Sequence, residues 1–275
     1  MKIAGVVVWY NPTNDDKKNI YSYLESLDKL YIFDNSSKKN DFKLDKKIEY
    51  IFAGENEGIA KALNVTAKKA IEDGYEWLLT MDQDTVFENE KLEKLKKFID
   101  KKEANVAIIC PWLETKLKIE KSKQELDYPL DVMTSGNLLN LAIYKKIGGF
   151  LEELFIDGVD MEFCLRLKKH GFKIKRVNSI SIKHNLGNIT YKNFLKKSLL
   201  CMNHNYVRYY YRVRNYHYIH DLYYDIEPEY CKNIIKFRAM IWCIVFYEKD
   251  KYRKLRAVYE GYKDYKKGIK GKYYH

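Results

Sequence analysis

The feature that most constrains this chain is its opening pattern, a fully apolar strand followed by regular alternation of strand-like and helix-like segments. Ile3-Ala-Gly-Val-Val-Val-Trp-Tyr10 is continuous and rich in β-branched residues, the mark of a strand buried on both faces. Asn11-Pro12-Thr13 breaks it. Residues 17–27 then place Ile20, Leu24 and Leu27 on one helical face. Residues 29–33 and 47–52 read as the second and third strands. Residues 58–73 read as a helix with Ala60, Leu63, Ala67, Ala70 and Ile71 on its apolar side. Residues 77–81 are a fourth strand, 90–101 an amphipathic helix and 106–110 a fifth strand. Strands separated by helices imply an α/β fold with a mostly parallel central sheet flanked by helices. Such sheets bind ligands at the carboxyl ends of their strands. Here those ends carry Asn11, Asp34, Gly54-Glu55-Asn56 and Asp82-Gln83-Asp84. One polar strand end is an ordinary loop, whereas four on one edge describe a site.

The pattern loosens after about residue 112. Residues 114–124 are charged, 132–141 read as a short strand around Ser135-Gly136, 162–170 as a helix and 174–182 as a strand. From residue 191 onward the chain reads as helical, with Ile234, Phe237, Ile241, Ile244 and Val245 at helical spacing, then Leu255, Val258, Tyr259 and Tyr262. The expected organisation is one α/β domain over residues 1–215 and a helical extension over 216–275.

A net charge of +12 suits an anionic partner (nucleic acid, a phosphorylated substrate or an acidic membrane surface), while the richness in Lys, Tyr, Asn and Ile reads equally as genomic base bias. The five cysteines are odd in number and form no C-x-x-C pair, which excludes a disulfide framework and a cysteine zinc site and points to a reducing cytoplasm. The opening run lacks a signal-peptide cleavage site, and residues 240–247 fall far short of the roughly 20 residues that span a bilayer. A soluble or peripheral protein is expected.

Two carboxylates one residue apart, Asp82 and Asp84, can share Mg²⁺ or Mn²⁺ through oxygen ligands, with substrate phosphates completing the shell. Asp34 can accept a hydrogen bond from a base ring N–H, or close an Asx turn. Glu55-Asn56-Glu57-Gly58 joins a strand end to a helix start, whose N–H groups favour an anion. In Ile156-Asp157-Gly158-Val159-Asp160-Met161-Glu162, carboxylates cluster at another helix start, as caps or as a base for an attacking hydroxyl. His184 follows a strand and could be a third metal ligand. Arg208 and Arg212 share a helix face and could clasp a diphosphate.

The order of these motifs is more specific than any one of them. V-V-x-Y-N, F-D-N-S-S, N-x-G-I-A-x-A-x-N, M-D-Q-D, T-S-G-N-L, I-D-G-V-D-M-E-F-C-L-R, K-H-N-L-G-N and R-Y-Y-x-R-V-R-N follow one another along residues 3–215. The series resembles the family 2 inverting glycosyltransferases with the GT-A fold, and within them the bacterial rhamnosyltransferases of surface polysaccharide synthesis. The resemblance implies that Asn11 and Asp34 contact the donor base, that Asn56 and Gly58 face the nucleotide, and that Asp82 lies near the ribose and metal. It implies that Asp84 binds the metal with His184 nearby, that Ser135 and Gly136 border the donor sugar, and that Asp160 is the catalytic base. Arg208 and Arg214 would contact phosphates. Many family members carry Glu-Asp at the base motif; here the pair is Val159-Asp160.

The implied partners are a nucleotide-sugar donor (dTDP- or UDP-linked) and a glycan or lipid-linked acceptor. A sugar nucleotidyltransferase is the enzyme alternative, and the absence of a Gly-rich loop after the first strand counts against it. A basic nucleic-acid-binding protein is the non-enzyme alternative, but it leaves the polar strand ends unexplained; no nucleic acid is expected. The basic, aromatic C-terminal segments leave two uses open: peripheral contact with the inner membrane face, or packing against the catalytic domain or a second subunit in a homodimer.

Overall fold

The computed structural model describes residues 1–88, 90–100, 102–117, 119–194 and 197–274. In chain order it contains β1 (Ile3–Trp9), α1 (Asn14–Ile20), β2 (Lys29–Asp34), β3 (Ile48–Phe52), α2 (Ile59–Glu72), β4 (Trp77–Asp82), α3 (Lys91–Lys96) and β5 (Val106–Glu114). Next come β6 (Leu126–Asp127), β7 (Asn137–Asn140), α4 (Leu141–Ile147), α5 (Val159–Lys169) and β8 (Lys173–Lys183). The chain ends with β9 (Thr190–Phe194), β10 (Lys197–Cys201), α6 (Tyr206–Tyr223), α7 (Pro228–Ile234), α8 (Arg238–Phe246) and α9 (Lys251–Lys266). Contacts gather into two compact units, one of Met1–Leu151 with Phe163–Asn185, the other of Glu152–Glu162 with Leu186–His275. α6 runs unbroken through residue 215, where the sequence reading sets its boundary.

The first unit is built on an eight-stranded sheet among the described residues, in the order β3-β2-β1-β4-β7-β5-β8-β6. β1, β2, β3 and β4 are parallel, as are β5 and β8, while β7 and β6 run antiparallel to their neighbours. Every residue of β1 but Val8 is buried, as its unbroken apolar run requires. Register then places the functional residues. Trp9 pairs with Asp34, Asp34 with Phe52 and Val8 with Asp82, so the loops after β1, β2, β3 and β4 leave one edge together. Because β7 is antiparallel, its first residue stands at that edge: Asn137 pairs with Thr80, and Ser135-Gly136 arrive beside Asp82. β8 pairs Lys183 with Glu114, which brings His184 to the same margin. Pro111 sits where the β5 register slips, the kind of irregularity that tolerates a residue without an N–H.

Several elements differ from expectation. The first helix starts earlier than residue 17, because Thr13 and Asp16 form a capping box, and it stops at Ile20. A 3-10 turn at Leu24–Ser26 follows, which turns Tyr23, Leu24 and Leu27 into the core. α3 ends at Lys96; Lys101, the last residue of the expected helix, lies outside the described residues. Residues after 191 are not all helical, since β9 and β10 pair as an antiparallel hairpin.

In the second unit α6 packs on α9 with their backbones nearly in contact. A Cβ at Gly261 would lie 2.5 Å from the Tyr210 carbonyl oxygen, so only glycine allows this approach. Beside it Glu248 is buried and accepts hydrogen bonds from Tyr209 (2.8 Å) and Lys254 (2.7 Å), a satisfied buried ion pair.

Candidate active site

The β4 end carries two of three groups that converge. One carboxylate oxygen each from Asp82 and Asp84 and one imidazole nitrogen of His184 lie within 4.8 Å of one another. His184 Nε2 is 3.9 Å from Asp82 Oδ2. Asp84 is exposed and makes no hydrogen bond or ion pair with the described residues, while the His184 side chain is 8% exposed. Two carboxylates and an imidazole at this spacing can close on one divalent ion with bonds of about 2.0–2.2 Å. The donor set therefore fits a cation.

The loops around these three are tied to one another. Gln83 accepts from the Tyr10 N–H (2.8 Å) and its carbonyl accepts from Asn19 Nδ2 (2.9 Å), joining the β1 and β4 ends. Asn11, at φ 48°, donates its N–H to Ser36 Oγ at 2.7 Å. Asn35 spans the β2 and β3 ends: Oδ1 accepts from the Glu57 N–H (3.0 Å) and Nδ2 donates to the Gly58 carbonyl (3.3 Å). Asn56 Oδ1 accepts from the Gly58 N–H at 3.0 Å, a turn that leads into α2.

Asp34 is fully buried and accepts from the Ser36 N–H (2.9 Å), Asn40 Nδ2 (2.6 Å) and Tyr50 Oη (2.5 Å). Burial, reinforced by the Asp34 carboxylate, pushes the Tyr50 phenol up to about 12, which keeps it a donor. Asp34 thus shapes the loop, with about one of its four lone-pair positions left for a further donor. Ser135 and Gly136 are buried and bonded inward. Gly136, at φ 82°, donates to the Thr80 carbonyl (2.8 Å), and a Cβ there would lie 2.6 Å from Ile182 Cδ1. Ser135 Oγ accepts from the Asp82 N–H (3.1 Å) and donates to Thr85 Oγ1 (2.9 Å), so its hydroxyl faces the protein and not a donor sugar. A cavity of about 230 Å³ opens beside Glu114, whose carbonyl accepts the His184 N–H at 3.0 Å. Trp112, Leu113, Val132, Met133 and Asn137 give it mainly apolar walls.

In the second unit Asp160 lies in the first turn of α5 and is half-buried. The loop that leads to it contains Phe155, Asp157 and Gly158, all at positive φ (65°, 58° and 90°). Asn215 Nδ2 donates to the carbonyls of Leu154, Ile156 and Asp157, each at 2.8 Å, and so holds that loop. Arg214, expected at a donor phosphate, is instead fully buried and donates to the carbonyls of Gly271 (2.7 Å) and Glu153 (3.2 Å). Its guanidinium is committed to these carbonyls, to Asn215 Oδ1 (3.0 Å) and to Tyr210 Oη (3.4 Å). Arg208 makes a two-pronged pair with Asp157 (2.8 and 2.5 Å). Burial opposes its charge, but Asp157 outweighs that and holds the guanidinium protonated. Glu162 is buried and accepts from Tyr223 Oη at 2.5 Å, a structural bond and not an open base.

Sequence reasoning missed Thr85, Asn35, Gln83 and Asn215 as organisers. Asn35, Gln83 and Asn215 lie within recognised motifs and Thr85 follows one directly, and that position was the available signal.

Comparison with known proteins agrees with this architecture. A model of Glycosyl transferase family 2 matches residues 18–150. The chain is 31% identical to dTDP-rhamnosyl transferase RfbF of Shigella flexneri, covering 78% of each protein. Among solved structures, GalNAc-T7 with UDP, GalNAc and Mn²⁺ superposes with a TM-score of 0.62 at 12% identity, covering 98% of this chain and 56% of that one. The chain thus spans just over half the length of that relative. TarS 1–349 of S. aureus, in complex with UDP-GlcNAc, superposes with a TM-score of 0.55 at 15% identity, covering 98% of this chain and 82% of that one. At such identities the structures speak for the GT-A fold, and the sequence match speaks for the family. With its mostly parallel sheet and the Asp82–Asp84–His184 cluster at the carboxyl edge, the chain belongs to glycosyltransferase family 2 and is a nucleotide-sugar glycosyltransferase.

Proposed function

We propose that this enzyme transfers rhamnose from dTDP-rhamnose to a hydroxyl of a growing surface polysaccharide or lipid-linked glycan, with inversion at the anomeric carbon. The convergence of Asp82, Asp84 and His184 at the sheet edge carries this reading, and the identity to a dTDP-rhamnosyl transferase directs it to the sugar. Asp160 takes the proton from the acceptor hydroxyl. The oxygen attacks the anomeric carbon as the bond to the diphosphate breaks, and dTDP leaves. A divalent cation bound by Asp82, Asp84 and His184 would offset the charge that develops on the diphosphate. The imidazole among its ligands favours Mn²⁺ over Mg²⁺, which prefers oxygen alone. Asn11, Asn56 and Gly58 line the nucleotide side, with Asp34 behind them. Arg208 remains a candidate for the diphosphate if Asp157 releases it. The apolar cavity beside Glu114 suits a 6-deoxy sugar, whose C6 is a methyl group.

A thermal-shift screen tests the donor. dTDP-rhamnose with Mn²⁺ is expected to raise the melting temperature more than UDP-GlcNAc or GDP-mannose, and chelation should abolish the rise, because a ligand stabilises the state it binds. Equal shifts with all three sugars would remove the rhamnose assignment.

The same enzyme is proposed to rest on the inner membrane face, where lipid-linked acceptors are found. On α8, Ile241, Trp242 and Phe246 are 37%, 43% and 50% exposed while Cys243 and Ile244 are buried. Exposed Lys236, Arg238, Lys249 and Lys251 flank that apolar strip in the chain. No helix among the described residues is long and apolar enough to cross a membrane, so contact would be interfacial. The protein should float with anionic vesicles and stay behind when Trp242 and Phe246 are both changed to Ala; no flotation of the wild type ends this part of the reading.

A further inference from the structure

We propose that Thr85 and Ser135 form a buried hydroxyl relay that positions His184 as a cation ligand and locks it to Asp82. The proposal rests on the cation site above. The relay runs from the Asp82 N–H to Ser135 Oγ (3.1 Å), on to Thr85 Oγ1 (2.9 Å), and from there to His184 Nδ1 (3.1 Å). The Thr85 N–H returns to the Asp82 carbonyl at 3.2 Å, closing the turn that follows β4. Thr85 and Ser135 are both 0% exposed, so no water competes for these bonds.

A cation on Nε2 sets the imidazole tautomer. A neutral imidazole has one donor and one acceptor nitrogen, and a nitrogen that binds a cation must present its lone pair. Nε2 is the atom on the Asp82 side, so Nδ1 must carry the proton. Thr85 Oγ1 has two lone pairs, enough to accept both Ser135 O–H and His184 Nδ1–H. With Nε2 on the cation, Nδ1–H donates to Thr85 Oγ1, and the hydroxyl at residue 85 holds the tautomer that leaves Nε2 open. Bonds of this kind to the far nitrogen of a ligating histidine orient the ring and raise its basicity, and their loss costs about 10–100-fold in metal affinity. The relay also explains why Ser135, although at the sheet edge, turns its hydroxyl inward. Thr85 and Ser135 are positioning residues and touch neither substrate nor cation.

The test titrates the full-length protein with Mn²⁺ alone, following the free-ion signal by electron paramagnetic resonance. Thr85→Val keeps the shape and removes the hydroxyl, and its Mn²⁺ affinity should fall about 10–100-fold. Thr85→Ser should restore most of it, which a purely structural role for the threonine methyl would not do. Should Thr85→Val fail to fold, Ser135→Ala breaks the relay one step earlier and should weaken Mn²⁺ in the same direction. Wild-type affinity in Thr85→Val, or in Ser135→Ala if only that variant folds, would overturn the relay. Asp84→Ala separates the two ideas: loss of Mn²⁺ there with unchanged affinity in the relay variants sinks the relay alone. A wild type that binds no Mn²⁺ sinks the cation site and the relay with it.

Discussion

Asp160→Asn is expected to reduce turnover by about 10²–10⁴-fold, the contribution of a positioned general base, while donor binding stays largely unchanged. Asparagine matches aspartate in shape and keeps one acceptor oxygen but cannot take up a proton. The surrounding backbone should not move, because the loop before α5 is held from outside residue 160. Asn215 satisfies three of its carbonyls and Arg214 a fourth. Such positive-φ segments persist when neighbours over-determine them, and they cluster at functional sites. Initial rates with dTDP-rhamnose, set beside calorimetric donor binding, make the measurement. Near-normal turnover would take the base role away from Asp160. Equal loss of binding and turnover would assign it to structure.

The second large effect is expected at Asp84. Asp84→Ala should lose cation-dependent donor binding and at least about 100-fold in activity, since a cation stabilises the leaving charge by several kcal/mol. Stability should hardly change, within about 0.5 kcal/mol, because the side chain is exposed and bonds to none of the described residues. Asp82 is a poorer probe, since its carboxylate also faces His184 Nε2 at 3.9 Å and its substitution would remove a ligand and unsettle the imidazole together. Activity that survives both Asp84→Ala and chelation would show that the three residues hold no working cation.

Local sequence carried much of this. A parallel sheet was legible because β1, β2 and β4 are buried on both faces and so are written as continuous apolar runs, with little tertiary ambiguity in their period. The D-x-D cluster was legible because strand polarity alone puts Asp82 and Asp84 at a carboxyl edge. The β9–β10 hairpin was not, since its short, mixed run is held by cross-strand pairing and not by propensity.

The arginines show the same limit. Arg214 and Arg208 stand close together on one helix, yet one is sealed among carbonyls and the other is paired with Asp157. Nothing in the string R-Y-Y-x-R-V-R-N separates a buried clamp from a cation paired near the surface, because burial is a property of what packs on α6.

What the chain specified by itself was the alternation of elements, the polar strand ends and the family to which their order belongs. The tertiary structure decided which of those polar groups face a ligand and which face each other. Asp82 and His184 are about a hundred residues apart, and only strand register places them 3.9 Å from one another. Thr85 and Ser135 became visible as a pair only when antiparallel β7 brought one beside the other. The reason is physical: periodicity reports the environment of a segment's own faces, whereas a hydrogen bond between distant side chains exists only after the intervening strands have been ordered in the sheet.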